Sequence, residues 1–342
     1  MKNLSGIKIK KLNPLLRRHS QDLVGIDFSS NNLKLAHVKI TSNKLELVDI
    51  VSHDITDLGD DDISKIIKDT INELNVKNVS GIDIIPSHMV ITKNIEIPST
   101  NPIEIREIIN LQASRYTPYS REEIIVDYID IDTYKHSYTK ILLVIVARNI
   151  VKRHFEILNK AGIRSENVVF APEALSCFVP RVLKLETKTS PIGIIHVDED
   201  FSDFIVVSKN KPVFIRTISI GMHHILGDIE TYRSKFAEEI TRTLEGYQNE
   251  DIEKSPGELI LTGAMEEAKF LETILKDSLH LPTRIMPHFK DLITLSDGLK
   301  TRPFPERLSF LNILASLFSR GEVKVNLIPE EVKLSKSLED RG

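Results

Sequence analysis

The chain alternates apolar and polar residues in short runs, and the order of those runs occurs twice. Residues 23–86 read as three consecutive strands, LVGIDFSS, LKLAHVKI and KLELVDIVSHDI, then a helix, DDISKIIKDTINELN, then a fourth strand, NVSGIDIIP. In that helix Ile63, Ile66, Ile67, Ile71 and Leu74 recur at helical spacing and give it one apolar face. Residues 191–262 repeat the order. PIGIIHVD, DFIVVSKN and KPVFIRTISIG predict strands, a long helix follows with Phe236, Ile240, Leu244 and Tyr247 on its buried stripe, and GELILTG closes the set. An aspartate ends the first strand of each copy, Asp27 and Asp198, and a short polar turn follows it. Two copies of one order, half a chain apart, predict a duplicated lobe around a cleft. A simple Rossmann sheet would alternate strand and helix from the outset, and here three strands come in a row.

Between the copies, residues 87–170 predict a smaller α/β unit. Its strand HMVITKNIEIP is followed by a helix, IEIREIINLQASRY, by strands IIVDYIDID and YTKILLVIVAR, and by a helix, NIVKRHFEILNKAG, that Gly162 is placed to stop. The second lobe ends in a helix, LSFLNILASLF, and a tail, GEVKVNLIPEEVKLSKSLEDRG. The predicted division is therefore an arm at 1–22, a first lobe at 23–86 plus 171–188, an insert at 87–170, a second lobe at 189–320 and a tail at 321–342.

Composition narrows the function. With 342 residues, 41% hydrophobic and 27% charged, the chain has the make-up of a globular protein with room for two cores. A net charge of −4 gives no global attraction to nucleic acid. No apolar run approaches the roughly 18 residues of a transmembrane helix. Lys2, Lys8, Lys10, Lys11, Arg17 and Arg18 make the first twenty residues basic, without the apolar stretch of a signal peptide. That arm reads as solvated, or as a contact for an anionic membrane surface at about 1 kcal/mol per basic residue. The single cysteine, Cys177, lies in the apolar stretch ALSCFV and reads as a small buried hydrophobe. Adjacent His223 and His224 point different ways on a helix and do not make a shared metal site.

Several stretches in this order resemble one family. GIDFSSNNLKLAHVK is similar to the first phosphate turn of the actin/FtsA-like superfamily, and PVFIRTISIG to the stretch that follows its second turn. EIREIINLQASRYTPYSREEIIVDY, with Tyr116, Pro118 and Asp127, and ILLVIVARNIVKRHFEILNKAGIRSENVVFAPEAL resemble the PilM branch of that superfamily. The resemblance covers about residues 24–320. It implies an α/β, duplicated actin-like (ribonuclease H-like) two-lobed fold with a small α/β insert in the first lobe. It also implies a cytoplasmic adaptor, peripheral to the inner membrane, in type IV pilus assembly or a related type II secretion apparatus. Such an adaptor binds the short N-terminal peptide of a PilN-like inner-membrane protein in a groove of the first lobe, beside other pilus-assembly proteins. The alternative within the same fold is an ATP-binding FtsA-like division protein or another actin-superfamily ATPase. FtsA would end in an amphipathic helix, whereas KLSKSLEDRG is polar apart from Leu334 and Leu338.

The resemblance assigns Asp27, Ser29, Ser30, Asn31, Lys34, Asp198 and Gly263 to a residual nucleotide cleft. In the superfamily, glycine-rich turns present backbone N–H groups to phosphates and the aspartates organise Mg²⁺. Here the first turn has Ser29, Ser30, Asn31 and Asn32 and no glycine, although asparagine reaches the left-handed region more easily than most residues. The second turn becomes Asp198-Glu199-Asp200, and strand alternation would point Asp198 and Asp200 to one side. One added carboxylate 4 Å from a phosphate costs ~4 kcal/mol at an effective dielectric of 20, against ~8 kcal/mol for a whole micromolar affinity. The adenosine-side loop keeps Gly263 but has Ala264 beside it, with Glu239 and Arg242 read as facing that pocket or as surface charges. The balance favours loss of tight binding of ATP and Mg²⁺, and no turnover is expected.

In the tail, Val325-Asn326-Leu327-Ile328-Pro329 resembles the Asn-Leu-x-Pro peptide at the start of PilN. The tail is therefore expected to fill its own groove, or a neighbour's, with tethering raising its local concentration toward millimolar. The other reading is a terminal β-strand ended by a proline.

Overall fold

The computed structural model describes residues 21–41, 44–76, 80–134, 137–250, 252–303, 307–329 and 332. Of the expected arm only Gln21 and Asp22 are among them, and of the tail beyond Pro329 only Val332; the rest of both lies outside the described residues.

Strands β1 (Gln21–Asp27), β2 (Asn32–Ile40) and β3 (Leu45–Asp54) form an antiparallel meander. Helix α1 (Asp60–Glu73) starts on Asp60, Asp61 and Asp62, whose charges suit the positive end of a helix, and returns the chain to β4 (Ser80–Ile85), parallel to β1. The β1–β2 register pairs Asp27 with Lys34, so both side chains stand on one face at the mouth of the turn.

The insert contains β5 (Val90–Ile97), α2 (Pro102–Gln112), β6 (Ile124–Tyr134) and β7 (Tyr138–Ala147), with sheet order β5-β7-β6. Asn101 caps α2 by accepting the Ile103 N–H at 2.9 Å, Pro102 takes the first helical position, and Ile105 and Ile109 bury the helix against the sheet.

Helix α3 (Arg148–Lys160) and strand β8 (Arg164–Phe170), placed in the insert by the sequence reading, belong instead to the first lobe. Gly162 adopts φ +78° after α3, as a helix stop requires, and β8 then pairs with β4. Ile157, Leu158 and Ile163 fill the same core as Ile63, Ile67 and Ile71 of α1. The first sheet thus runs β3-β2-β1-β4-β8, and α4 (Ala171–Leu183) leads out of it.

The second lobe repeats the plan. It contains β9 (Ile192–Val197), β10 (Ser202–Ser208), β11 (Lys211–Ile218), α5 (Met222–Gly227), α6 (Ile229–Asn249), β12 (Glu258–Gly263), α7 (Phe270–Leu279), β13 (Thr283–Ile285) and α8 (Asp297–Lys300). Its sheet order is β11-β10-β9-β12-β13, the order of the first sheet. Helix α9 (Leu311–Ser319), expected with this lobe, crosses back and packs on α4 and β1. Gly25 permits that crossing, because a Cβ there would stand 2.4 Å from Ile313. Helix α4 touches β10 and β11 as well as β8, so α4 and α9 seam the two lobes together with side chains of one continuous core.

Candidate functional site

The two aspartates meet where the lobes face each other. Lys34 is 1% exposed, and its Nζ lies 2.7 Å from Asp198 Oδ2 and 3.6 Å from Asp27 Oδ2 and donates to Ser309 O at 3.2 Å. Burial works against the ammonium charge, but the carboxylates of Asp198 and Asp27 outweigh it and hold the lysine pKa above its ordinary value. Burial likewise tends to neutralise Asp198, and Lys34 overcomes this and keeps its pKa below the usual carboxylate range. Beside this pair Asn32 Nδ2 donates to Glu199 Oε1 at 2.6 Å and Oε2 at 2.8 Å, joining the first turn to the second.

The first turn closes without glycine because its own aspartate closes it. Asp27 Oδ1 accepts the Ser29 N–H at 3.1 Å and the Ser29 hydroxyl. None of residues 28–32 takes a positive φ. Asn31 does not face the cleft: it is exposed, and its carbonyl accepts the Ile55 N–H at 2.8 Å. In the second turn Asp198 Oδ1 accepts the Glu199 N–H at 3.0 Å, and the carbonyls of Asp198 and Glu199 take the N–H groups of Met222 and His223 at the start of α5, each at 2.8 Å. Strand β9 ends at Val197, so the alternation expected to separate Glu199 from its neighbours stops there, and Asp198, Glu199 and Asp200 all line the same cavity.

Mg²⁺-ATP does not fit these residues. The cavity at Asp27, Lys34 and Asp198 measures ≈ 20 Å³, room for about one water, whereas small-molecule sites run to several hundred Å³. The N–H groups of Ser29 and Glu199 are spent on their own aspartates, and the lysine ammonium stands between the two carboxylates that would organise a metal. Gly263 has a local reason. It sits at φ +105°, and a Cβ would lie 2.0 Å from the carbonyl oxygen of Val197 on β9. It lines a separate ≈ 60 Å³ cavity with Ala264, Met265 and Met286. Glu239 and Arg242 pair with each other at 2.6 Å on the outer face of α6 and do not reach that cavity.

Behind the turns lies a relay that sequence reasoning missed. Thr217 Oγ1 donates to Ser87 Oγ at 2.6 Å, Ser87 Oγ donates to Asp203 Oδ1, and burial pushes the Asp203 carboxyl up to about 7. His88 stacks on Phe201 with ring centroids 4.3 Å apart and reaches Ser29 O at 3.1 Å. Ser87 and His88 precede β5 and Asp203 lies on β10, so these contacts also cross between lobes.

The second feature is the tail. Val325, Leu327, Ile328 and Pro329 are buried and Asn326 is exposed. The segment forms no strand, which corrects the terminal-strand reading. Its backbone N–H groups go to carboxylates. Glu173 on α4 accepts from Lys324 at 2.8 Å and from Val325 at 3.0 Å, and Asp127 on β6 accepts from Asn326 at 2.8 Å. Asn326 Oδ1 then accepts the Ile328 N–H at 3.1 Å, an Asx turn that folds the apolar end inward. Burial raises the pKa of Glu173 even against those two donors. Arg181 on α4 holds the approach by donating to Phe318 O at 3.0 Å, to Ser319 Oγ at 3.2 Å and to Glu322. Asp127 is kept oriented by Arg106 of α2 at 3.2 Å. Of these groups the sequence reading named only Asp127. Glu173, an acid inside an otherwise apolar helix, is the signal that could have pointed to the rest.

Among the described residues there is no group of side chains arranged to hold a metal ion, and no helix is long and apolar enough to cross a membrane. No curated protein matches the chain by sequence. Among solved structures, a PilM–PilN type IV pilus biogenesis complex is similar at 17% identity, with a TM-score of 0.72 over 88% of this chain and 99% of the other. The cytoplasmic domain of EpsL, an inner-membrane component of the type II secretion system of Vibrio cholerae, is similar at 9% identity and a TM-score of 0.52 over 91% and 99%. A Bacteroides thetaiotaomicron protein with an actin-like ATPase fold follows at 16% identity and a TM-score of 0.48 over 78% and 91%. The two-lobed α/β arrangement is the fold this chain shares with the PilM–PilN and EpsL structures. A family profile described as type IV pilus assembly protein PilM matches residues 25–233, more than half of the chain, and that span carries both turns, Lys34, Asp127 and Glu173. The chain belongs to the PilM family of type IV pilus assembly proteins.

Proposed function

We propose that this chain is a cytoplasmic scaffold of type IV pilus assembly, held at the inner membrane by protein partners, and that it works by binding rather than by turning over ATP. The observation that carries the reading is the seated tail. Glu173 of α4 and Asp127 of β6 accept the consecutive backbone N–H groups of Lys324, Val325 and Asn326, and Val325, Leu327 and Ile328 are buried in the main core. This is how an extended peptide is held, by its main chain for affinity and by its side chains for selectivity. The solved complex to which the chain is similar contains PilM with PilN, and residues 326–329 resemble the opening peptide of PilN. In this reading the groove is a PilN-type peptide site that the chain fills with its own tail.

Absence of turnover is supported by the small cavity and by the lysine between the aspartates. The reading is tested in the cell that makes the protein. Removing the chain should abolish surface pili and leave growth and division normal. Persistent pili, or filamentous undivided cells, would instead favour the FtsA-like division role.

A further inference from the structure

The cleft between the lobes is the place where the actin-like fold ordinarily places a ligand, and here the groups do not suit one. Asp27 from the end of β1 and Asp198 from the turn after β9 converge on one point, and the Lys34 ammonium occupies it. The lysine belongs to the first lobe through β2, while Asp198 belongs to the second and Ser309 to the segment that leads into α9. Asn32–Glu199 bridges the same gap on one side, and Ser87–Asp203 bridges it on the other. Asn312 of α9 lines the cavity too, with its Oδ1 buried and without a donor among the described residues.

We infer that the exchangeable cation and nucleotide of this cleft have been replaced by a cation of the chain's own: Lys34 is a clasp that joins the two lobes and makes their closure independent of ligand. A divalent ion bridging Asp27 and Asp198 needs the space that Nζ fills, and a phosphate needs the turn N–H groups that already bond to those two aspartates. The lysine sits opposite Asp27 by strand register, so its position follows from the hairpin and requires no closure by a ligand.

Removing the ammonium should expose what it replaced. In Lys34→Ala two facing carboxylates are left without a counter-charge, and the vacated space borders Asp27, Asp198 and Asn312. Thermal melting of the full chain in EDTA, in millimolar Mg²⁺ or Mn²⁺, and in Mg²⁺-ATP gives the test. The wild type should melt at one temperature in all of them. Lys34→Ala should melt roughly 5–10 °C lower in EDTA, and Mg²⁺ or Mn²⁺ should restore part of that loss. Lys34→Met fills the space without the charge, so it should melt low and stay low with either ion. Should the single variants fail to fold, Lys34→Met combined with Asp198→Asn removes the nearer of the two stranded charges and should recover a folded protein insensitive to divalent ions. A wild type stabilised by Mg²⁺-ATP would overturn the inference. So would a Lys34→Ala protein that melts like the wild type, divalent ions that raise Lys34→Met as much as Lys34→Ala, or a double variant no more stable than Lys34→Met.

Discussion

Replacing Leu327 by alanine isolates the contribution of the tail. The side chain is 0% exposed and packs in the core shared with α4 and α9, with Val325 and Ile328 beside it. A buried Leu→Ala change costs ~2–5 kcal/mol, from lost transfer energy and the cavity left behind. Residues 324–329 follow the turn after α9 and lie outside any helix or strand, so much of that cost falls on the local equilibrium between docked and undocked tail. At the lower figure of ~2 kcal/mol the undocked population rises about thirtyfold. The assay is amide hydrogen exchange followed by mass spectrometry. The N–H groups of Lys324, Val325 and Asn326, now bonded to Glu173 and Asp127, should exchange about thirty times faster or more, while amides within β1 and β4 change far less. Trypsin should cut after exposed Lys324 with a parallel increase in rate. Wild-type exchange at residues 324–326 in a folded Leu327→Ala protein would refute the docked tail.

Two further outcomes follow from the cleft. Asp203 is protonated in the folded chain up to about pH 7, where an unfolded aspartate ionises near 4, so the folded state holds more protons between those values and stability falls as the pH rises through that window. Asp203→Asn removes this dependence. It should raise the melting temperature relative to the wild type at pH 8 and leave it unchanged at pH 4, and equal differences at the two pH values would contradict the burial argument. Gly263→Ala forces a Cβ to 2.0 Å from the Val197 carbonyl at φ +105°, which should cost roughly 1–3 kcal/mol or more and lower the melting temperature with or without nucleotide.

Much of the fold was legible because strand and helix periods survive in the sequence. Three strands, a helix and a strand, written twice, led directly to two sheets of the same order. The boundaries that moved are those at which the chain changes layer. Strand β8 and helix α9 carry the right local pattern, but nothing within them says which sheet they join. The cleft was half legible. Asp27, Lys34 and Asp198 were recognisable as a group, yet the bond from Lys34 to Asp198 and that from Asn32 to Glu199 span more than 160 residues and leave no local signal. The acidity of the second turn was read as repulsion toward phosphate. In the structure Asn32 takes up Glu199 and Lys34 takes up Asp198. The tail's apolar residues stood out, whereas its carboxylate anchors lie 151 and 199 residues earlier, and the acid Glu173 within an apolar helix was the one local sign of them.

The most direct measurement is calorimetric titration of a peptide spanning residues 322–332 into the chain truncated after Gly321, with melting used to confirm that the truncated protein is folded. The account predicts one-to-one binding at micromolar Kd, about 8 kcal/mol, and no uptake by the full chain, whose tethered tail competes at near-millimolar effective concentration. No binding to the folded truncated chain, or equal binding to both, would contradict it.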